Sequence, residues 1–365
     1  MRILIDATPL LLRSVGIKTY LYHWIQQLCQ QAGNEQILTF PHLDKLGPLN
    51  HERSILTPAQ TFPKLARLHL ANLSPALATW AIPKADVFHV SNQVRNPPKN
   101  TKLTATIYDL TCRLMPELHT EANIRADESL AKNILQKADA LIAISENTRA
   151  DAIRLLGVDP EHIQVIYPGI PEVYFGAQPR PAEHPYVLYV GTIEPRKNVD
   201  TVLDAWQGFR LRNDFDLVIV GSSGWGSEKT MARLASRPQG ERCSRPEGVQ
   251  YLGYVGEDEL PGLTAGATAF LYPSLYEGFG FPVAQAMAAG VPVITSNTSC
   301  LPEVAGDGAL LVDPRSAAEI QAALEKLLTS QILRDQLRIA GAECARRYRW
   351  DACARQSLEF FRRLG

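Results

Sequence analysis

No stretch of this chain reaches the ~18 to 20 uninterrupted apolar residues that a membrane-spanning helix needs. The N-terminus, MRILIDATPLLLRS, is an apolar strand interrupted by Asp6, with no basic flank, apolar run and cleavage site in sequence. Charge excess is missing too: the formal net charge is -1 and the pI about 6.7, which excludes the basic surplus of a nucleic-acid binder. Partners are therefore expected among small molecules, glycans or lipids. The six cysteines (Cys29, Cys112, Cys243, Cys300, Cys344, Cys353) are scattered, without the roughly two- to four-residue spacing of a zinc or redox pair. They read as idle thiols of a reducing compartment, so a cytoplasmic protein is expected. Short-period repeats and low-complexity tracts are absent. GSSGWG, from Gly221, lacks the glycine spacing of the dinucleotide fingerprint, which argues against an NAD-dependent oxidoreductase.

What the chain does have is length and a repeated pattern. Its 365 residues allow two domains, each with a core of its own. Short apolar runs alternate with helix-like stretches, the pattern of a parallel sheet wrapped by helices. The first half offers strands at Arg2 to Ile5, Val87 to Val90, Leu103 to Ile107, Ala140 to Ile144 and Gln164 to Tyr167, with helices at Gly16 to Gln31 and Glu121 to Lys137. The second half repeats this at Tyr186 to Val190, Asp216 to Val220, Val249 to Leu252, Ala269 to Tyr272, Val291 to Thr295 and Ala309 to Leu311. Between the halves, PGIPEVYFGAQPRPAEHP holds five prolines in eighteen residues, which forbids helix and central strand alike. The expected organisation is a first Rossmann-like domain over 1–170, a linker over 171–185 and a second domain over 186–345. One helix over Ala342 to Leu364 is expected to carry 346–365 back to the first domain. Two doubly wound domains facing each other would leave a cleft at the carboxyl ends of their strands, where open α/β sheets bind ligands.

Two segments place chemistry at such strand ends. In SLYEGFGFPVAQAM, from Ser274, Glu277 is followed by Gly278, Phe279 and Gly280, and Pro282 suits the first turn of a helix. Glycines ahead of a helix N-terminus let backbone N–H groups meet an anion. In YVGTIEPRKNVDTVLDAW, from Tyr189, Arg196 and Lys197 stand at a helix start, where two cations can hold a diphosphate. Other signals are weaker. His89 ends a first-domain strand and is a candidate sugar or acceptor contact, although a lone histidine is more often structural. Asp214-Phe215-Asp216 resembles a metal-holding acidic triplet, but directly precedes a strand and reads as strand entry. Residues 1–110 hold eleven Lys and Arg against six Asp and Glu. Within them, Phe62 to Ile82 mixes Leu65, Leu68, Leu70, Leu73, Leu77 and Trp80 with Lys64, Arg67 and His69, either as a patch for anionic membrane or, preferred, as core.

Together these segments resemble the GT-B-fold retaining glycosyltransferases of family 4, the glycogen-synthase-like and mannosyltransferase-like group. The resemblance runs over nearly the whole chain, through the opening strand and Gly16 turn, SENTRADAIRLLGVDPEHIQVIYPG, EPRKN, VIVGSSGW, EGFGFP and LPEVAGDGALLVDP. It implies an α/β GT-B fold and hexose transfer from a nucleotide-diphosphate sugar with retained configuration. It also implies a reaction without metal ion or cofactor. Glu277 matches the first acid of the family's paired-glutamate motif, Lys197 the lysine that holds the donor phosphates, and Gly16 the glycine whose loop approaches the diphosphate. Three positions depart from the pattern. Gln285 stands where the second glutamate is expected, Thr192 stands where many relatives carry an arginine, and Tyr108-Asp109 replaces His-Asp. Arg196 then becomes the candidate guanidinium, Gln285 the ribose contact, Tyr108 a sugar contact, and Asp109 a catalytic group brought up by domain closure. EPRKN, GSSGW and EGFGFP together resemble bacterial transferases that build surface polysaccharides, which makes GDP-mannose the first expectation, with UDP- and dTDP-sugars open. The acceptor would be a glycan or a lipid-linked sugar, with peripheral contact to the inner membrane face as a further expectation. A non-catalytic sugar-nucleotide-binding relative is the alternative, since Gln285 and Tyr108 replace expected groups.

Overall fold

The structure is a computed structural model that describes residues 1–235 and 248–364. Cys243 lies outside the described residues. The chain divides into two compact units, the first built from Met1–Pro116, Glu121–Gly169 and the segment from Arg349 onward, the second from Glu117–Thr120 and Ile170–Tyr348.

In the first unit six strands, β1 (Arg2–Asp6), β2 (Gln36–Phe40), β3 (Val87–Val90), β4 (Lys102–Ile107), β5 (Ala140–Ala143) and β6 (Ile163–Val165), form one sheet in the order β2-β1-β3-β4-β5-β6. Every pairing is parallel. Helices cover a parallel sheet on both faces, so its central strands read as continuous buried runs; all four residues of β3 are buried. The helices are α1 (Gly16–Gln31), α2 (Pro58–Leu73), α3 (Pro75–Ala81), α4 (Thr111–Leu114), α5 (Glu121–Asn133) and α6 (Glu146–Leu156). The stretch from Phe62 to Ile82 is therefore two helices. Ser74 ends α2 and caps α3, its side chain accepting from the Leu77 N–H at 3.3 Å. The strand order reverses between β1 and β3, which makes their carboxyl ends this unit's switch point.

The second unit repeats the design with β7 (Tyr186–Val190), β8 (Asp216–Val220), β9 (Val249–Gly253), β10 (Ala269–Tyr272), β11 (Val293–Ser296) and β12 (Ala309–Val312), ordered β12-β11-β10-β7-β8-β9. Its helices are α7 (Val199–Gly208), α8 (Glu228–Ala235), α9 (Leu260–Ala265), α10 (Phe281–Ala288), α11 (Leu301–Ala305), α12 (Ala317–Thr329) and α13 (Gln331–Ala345). The switch point falls between β7 and β10. The proline-rich stretch packs on this unit: Tyr174 is buried, and the Arg180 N–H donates to the Gly262 carbonyl at 2.9 Å.

The expected single helix over Ala342 to Leu364 is instead the end of α13 and a separate α14 (Trp350–Arg362). Between them the Tyr348 carbonyl accepts from the Ile170 N–H at 3.0 Å, and the Tyr348 ring packs edge-on against Phe279, 5.1 Å between centroids. Anchoring Tyr348 this way breaks the helix where the chain leaves the second unit. α14 then packs along α1, where the Trp24 indole N–H donates to Ser357 Oγ at 2.9 Å.

Candidate active site

The site is built at the β7/β10 switch point. β7 ends at Val190, and Pro195–Lys197 form a short 3-10 turn before α7. Arg196 and Lys197 thus lie just ahead of the helix rather than in its first turn. Asn198 joins the two elements with φ 61°, a left-handed conformation that asparagine tolerates better than most residues. Its side-chain amide donates to the Pro273 carbonyl at 2.8 Å, so the turn after β7 is tied to the segment after β10. Ile193 pairs with the GSSGW loop through its N–H to the Ser222 carbonyl at 2.9 Å. Thr192 sits half-buried in that connection.

Glu277 is the hub. It is only 6% exposed. Its Oε1 accepts from Lys197 Nζ at 2.6 Å, Ser274 Oγ at 2.7 Å and the Tyr272 hydroxyl at 2.9 Å. Its Oε2 accepts from Arg196 Nη1 at 3.0 Å. Lys197 also donates to the Tyr272 hydroxyl at 2.8 Å, closing a triangle. Burial alone would raise the Glu277 carboxyl, but the charges of Lys197 and Arg196 and the hydrogen bonds from Lys197 and Ser274 hold it down at about 2. The carboxylate stays ionised and fixes the ammonium beside it.

Arg196 was expected to meet the donor phosphates, and the structure gives it another task. Its guanidinium is enclosed, donating through Nη2 to Glu194 at 2.9 Å and through Nη1 to both Glu277 and the Tyr276 carbonyl, the latter at 2.7 Å. A planar fork between two carboxylates suits arginine and not lysine. Burial raises the Glu194 carboxyl, opposed by the charges of Arg196 and Lys197.

Past Glu277, Gly280 caps α10 with φ 86°, and a Cβ there would lie 2.6 Å from Leu301 Cδ2, so only glycine fits. Pro282 follows in the first turn, where its missing N–H costs nothing. Phe279 turns its ring into the core against Phe281 and Tyr348, leaving its backbone to line the loop. Gln285 is half-buried on α10.

The first unit holds the remaining candidates. Gly16 opens α1, exposed, with no atom within 4 Å of where a Cβ would stand. Packing does not demand glycine here; a ligand approaching the helix N-terminus would. Asp109 Oδ1 caps the next turn, accepting from the Thr111 N–H at 3.0 Å and hydroxyl at 2.7 Å. The Tyr108 ring packs edge-on against Tyr20 with its hydroxyl buried, so the expected sugar contact is turned inward. His89 is corrected outright. It is 0% exposed, its two ring nitrogens bond Thr104 and Thr106 of β4 at 2.9 Å each, and Trp24 and Phe361 pack on it. Burial pushes its pKa down to about 3, so the ring is a neutral core group and no ligand contact.

Four site residues escaped the sequence reading: Tyr272, Tyr189, Glu194 and Ser299. Tyr189 accepts no sugar-facing role, donating its hydroxyl to the Lys197 carbonyl at 2.9 Å, and Ser299 Oγ accepts from the Glu277 N–H at 3.2 Å. The available signal was that β7 and β10, the strands carrying both motifs, each hold a tyrosine at or near the end. Asp216 opens β8 and accepts from Gln250 at 3.0 Å, a strand-entry role. Among the described residues, no group of three or more His, Cys, Asp or Glu side chains is arranged to hold a metal ion.

Two doubly wound parallel sheets, one carrying a Lys–Glu–Arg cluster at its switch point beside a glycine-capped helix, define a GT-B glycosyltransferase. Residues 172–343 match the family described as Glycosyl transferases group 1, and residues 15–174 match Glycosyltransferase Family 4. The chain is 31% identical to O-antigen chain mannosyltransferase B of Escherichia coli, over 80% of this chain and 78% of that protein. It is 29% identical to phosphatidyl-myo-inositol mannosyltransferase of Mycobacterium leprae, over 80% and 72%. Against the longer serotype-specific mannosyltransferase WbdA of Escherichia coli identity is 26%, and the match spans 38% of that protein. The fold is similar to sucrose-phosphate synthase from Thermosynechococcus elongatus, with a TM-score of 0.74 at 21% identity, covering 100% of this chain and 98% of that one. It is also similar to Anabaena HepE in complex with UDP-glucose, with a TM-score of 0.71 at 18% identity and 99% coverage of both. The chain belongs to glycosyltransferase family 4, and is a hexosyltransferase of glycan biosynthesis.

Proposed function

We propose that this enzyme moves mannose from GDP-mannose to a glycan or lipid-linked acceptor with retention of configuration, and that neither metal ion nor cofactor takes part. The observation that carries the reading is the Lys197–Glu277 pair, 2.6 Å apart, set beside the glycine-capped start of α10. Lys197 has used two of its three N–H groups on Glu277 and Tyr272, and the third is available to a donor phosphate. The amides of Gly278 to Gly280 and the positive end of α10 add fixed dipoles where the diphosphate would gain charge. Gln285, a half-buried amide eight residues after Glu277, suits the ribose hydroxyls. Arg196 acts as a positioning residue, holding Glu277 and Glu194 so that Lys197 keeps one geometry.

In the step, the acceptor hydroxyl oxygen bonds the anomeric carbon on the face from which the diphosphate departs. The carbon–oxygen bond to the diphosphate breaks, and the hydroxyl proton passes to a donor phosphate oxygen. Lys197 and the α10 amides neutralise the charge on the leaving group. Mannose as cargo is supported by the names of the relatives, and the UDP-glucose complex of HepE keeps a UDP-sugar as the second reading.

The test is nucleoside diphosphate release from GDP-mannose, UDP-glucose and a dTDP-sugar, with the anomeric configuration of the product read by NMR. Release from GDP-mannose with a retained product is expected. Turnover of a UDP-sugar alone would replace the donor, an inverted product would overturn the mechanism, and no release from any donor would favour a binding protein.

A further inference from the structure

β10 and β11 are neighbours in the second sheet, and their ladder ends where Tyr272 pairs with Thr295. From there β11 and the turn behind it reach the chain after β10 with side chains. Thr295 Oγ1 donates to the Tyr272 carbonyl at 2.8 Å and Ser296 Oγ to the Ser274 carbonyl at 2.5 Å. Thr298 Oγ1 donates to the Leu275 carbonyl at 3.3 Å and Cys300 Sγ to the Glu277 carbonyl at 3.1 Å. Ser299 Oγ runs the other way, accepting from the Glu277 N–H at 3.2 Å. The two segments advance in step, and both backbone groups of Glu277 are gripped by successive side chains. Thr295, Ser296 and Cys300 are buried, and burial raises the Cys300 thiol, which stays protonated and able to donate. The Leu275 N–H in turn donates to the Arg196 carbonyl at 2.9 Å, so the same rack reaches the turn that carries Lys197. Ser299 stands at φ 56°, a left-handed backbone that strains a serine and suits a glycine. What serine adds there over glycine is the hydroxyl that holds the Glu277 amide, and strain kept at a site is a mark of use.

We propose that the turn after β11 is the template that aims the Glu277 carboxylate, and that Ser299 is a positioning residue of sugar transfer, acting through Glu277 on Lys197. The inference rests on the reading that Lys197 and Glu277 serve the donor diphosphate. A carboxylate that must fix an ammonium in one place needs its own backbone fixed first, and hydrogen bonds to both its N–H and its carbonyl do this. Without the Ser299 hydroxyl the Glu277 amide loses its partner, and the Lys197 ammonium spreads over several positions. Lys197 and the α10 amides still bind the donor in the ground state, so the loss falls on the step in which charge develops on the leaving diphosphate.

The test compares Ser299→Ala, which loses the acceptor and keeps the strain, with Ser299→Gly, which loses both. Thermal unfolding, kcat and donor KM are measured for each, with GDP-mannose and with UDP-glucose, beside the wild type and Lys197→Ala. The glycine variant should unfold at a higher temperature than the alanine variant. In both, kcat should fall by about tenfold while donor KM stays within about twofold, the pattern of an interaction used in the transition state. Wild-type kcat in Ser299→Gly would overturn the proposal, since strain relief alone would then have restored the site. So would a raised KM at unchanged kcat, or a kcat that follows the unfolding temperature across the two variants. Lys197→Ala separates the two readings. If it is inactive while Ser299→Gly turns over normally, only the role of Ser299 falls; if Lys197→Ala itself turns over normally, the donor-site reading falls and this proposal with it.

Discussion

The two units use one architecture and fill their switch points differently. In the first, buried Asp6 at the end of β1 accepts from the Thr8 N–H, the Ser91 N–H and hydroxyl, and the Gln93 N–H. That carboxylate is satisfied by backbone and hydroxyl groups and stitches β1 to the loop after β3. In the second, Glu277 after β10 is satisfied largely by two cations from the turn after β7. An acid held by neutral donors closes a structure, whereas an acid held by a lysine with an N–H to spare aims a charge. The switch point of the same kind of sheet holds a staple in one unit and the proposed donor site in the other.

Glu277→Ala gives the largest expected contrast. Removing the shared acid leaves Arg196 and Lys197 without it, costing about 3–5 kcal/mol of stability, and turnover should be lost as well. Asp6→Asn, in the other unit, should cost about 1–3 kcal/mol while turnover persists at temperatures where the variant stays folded. Thermal unfolding and initial rates on both variants check this, and equal loss of turnover would erase the distinction between the staple and the proposed donor site.

The glycines sharpen it next. Gly280→Ala places a Cβ against Leu301 in a left-handed backbone, costing about 1–3 kcal/mol. Gly16→Ala meets open space and should leave stability within about 0.5 kcal/mol, yet lower kcat/KM by about tenfold or more if a ligand must approach the start of α1. Unchanged kcat/KM in Gly16→Ala would remove Gly16 from the site.

Acid should separate the units by the smallest margin. In the first unit, burial lowers His89 to about 3 and lowers His51 to about 4, aided for His51 by the Lys18 charge. Both rings are neutral when folded and take up protons on unfolding, so their contribution is present above the unfolded value near 6.5 and is lost as pH falls below it. At pH 5 each ring should cost about 1–2 kcal/mol. Glu277 is lowered, so its contribution is present above about 4.5 and is lost only as pH falls toward 2. Hydrogen exchange after brief acid exposure should therefore open β3 and β4 before β7 and β10; the reverse order would contradict these assignments.

Much of this was legible in the sequence. β3, β7, β8 and β10 stand where their apolar runs placed them, because strands buried on both faces leave an uninterrupted signature. β2 was not foreseen, since an edge strand such as QILTF is only partly buried and carries a weak pattern. The motifs located Lys197 and Glu277, but not their partners. Tyr272 and Glu194 acquire their roles only when β7 and β10 become neighbours, and strand adjacency across some eighty residues is not written in local spacing. His89 failed for the same reason. The histidine was visible, whereas the two threonines of β4 that satisfy it depend on the register pairing His89 with Thr104. Likewise Arg196 looked like a free cation until the fold brought two carboxylates to it.

The most direct measurement is the shift in unfolding temperature on adding GDP or UDP to the wild-type chain and to Lys197→Ala. A nucleoside diphosphate that binds only the folded state should raise the wild-type melting temperature. Lys197→Ala, in which Arg196 still pairs with Glu277, should remain folded and show little or no shift. An equal shift in both proteins would contradict the assignment of Lys197 to the donor diphosphate.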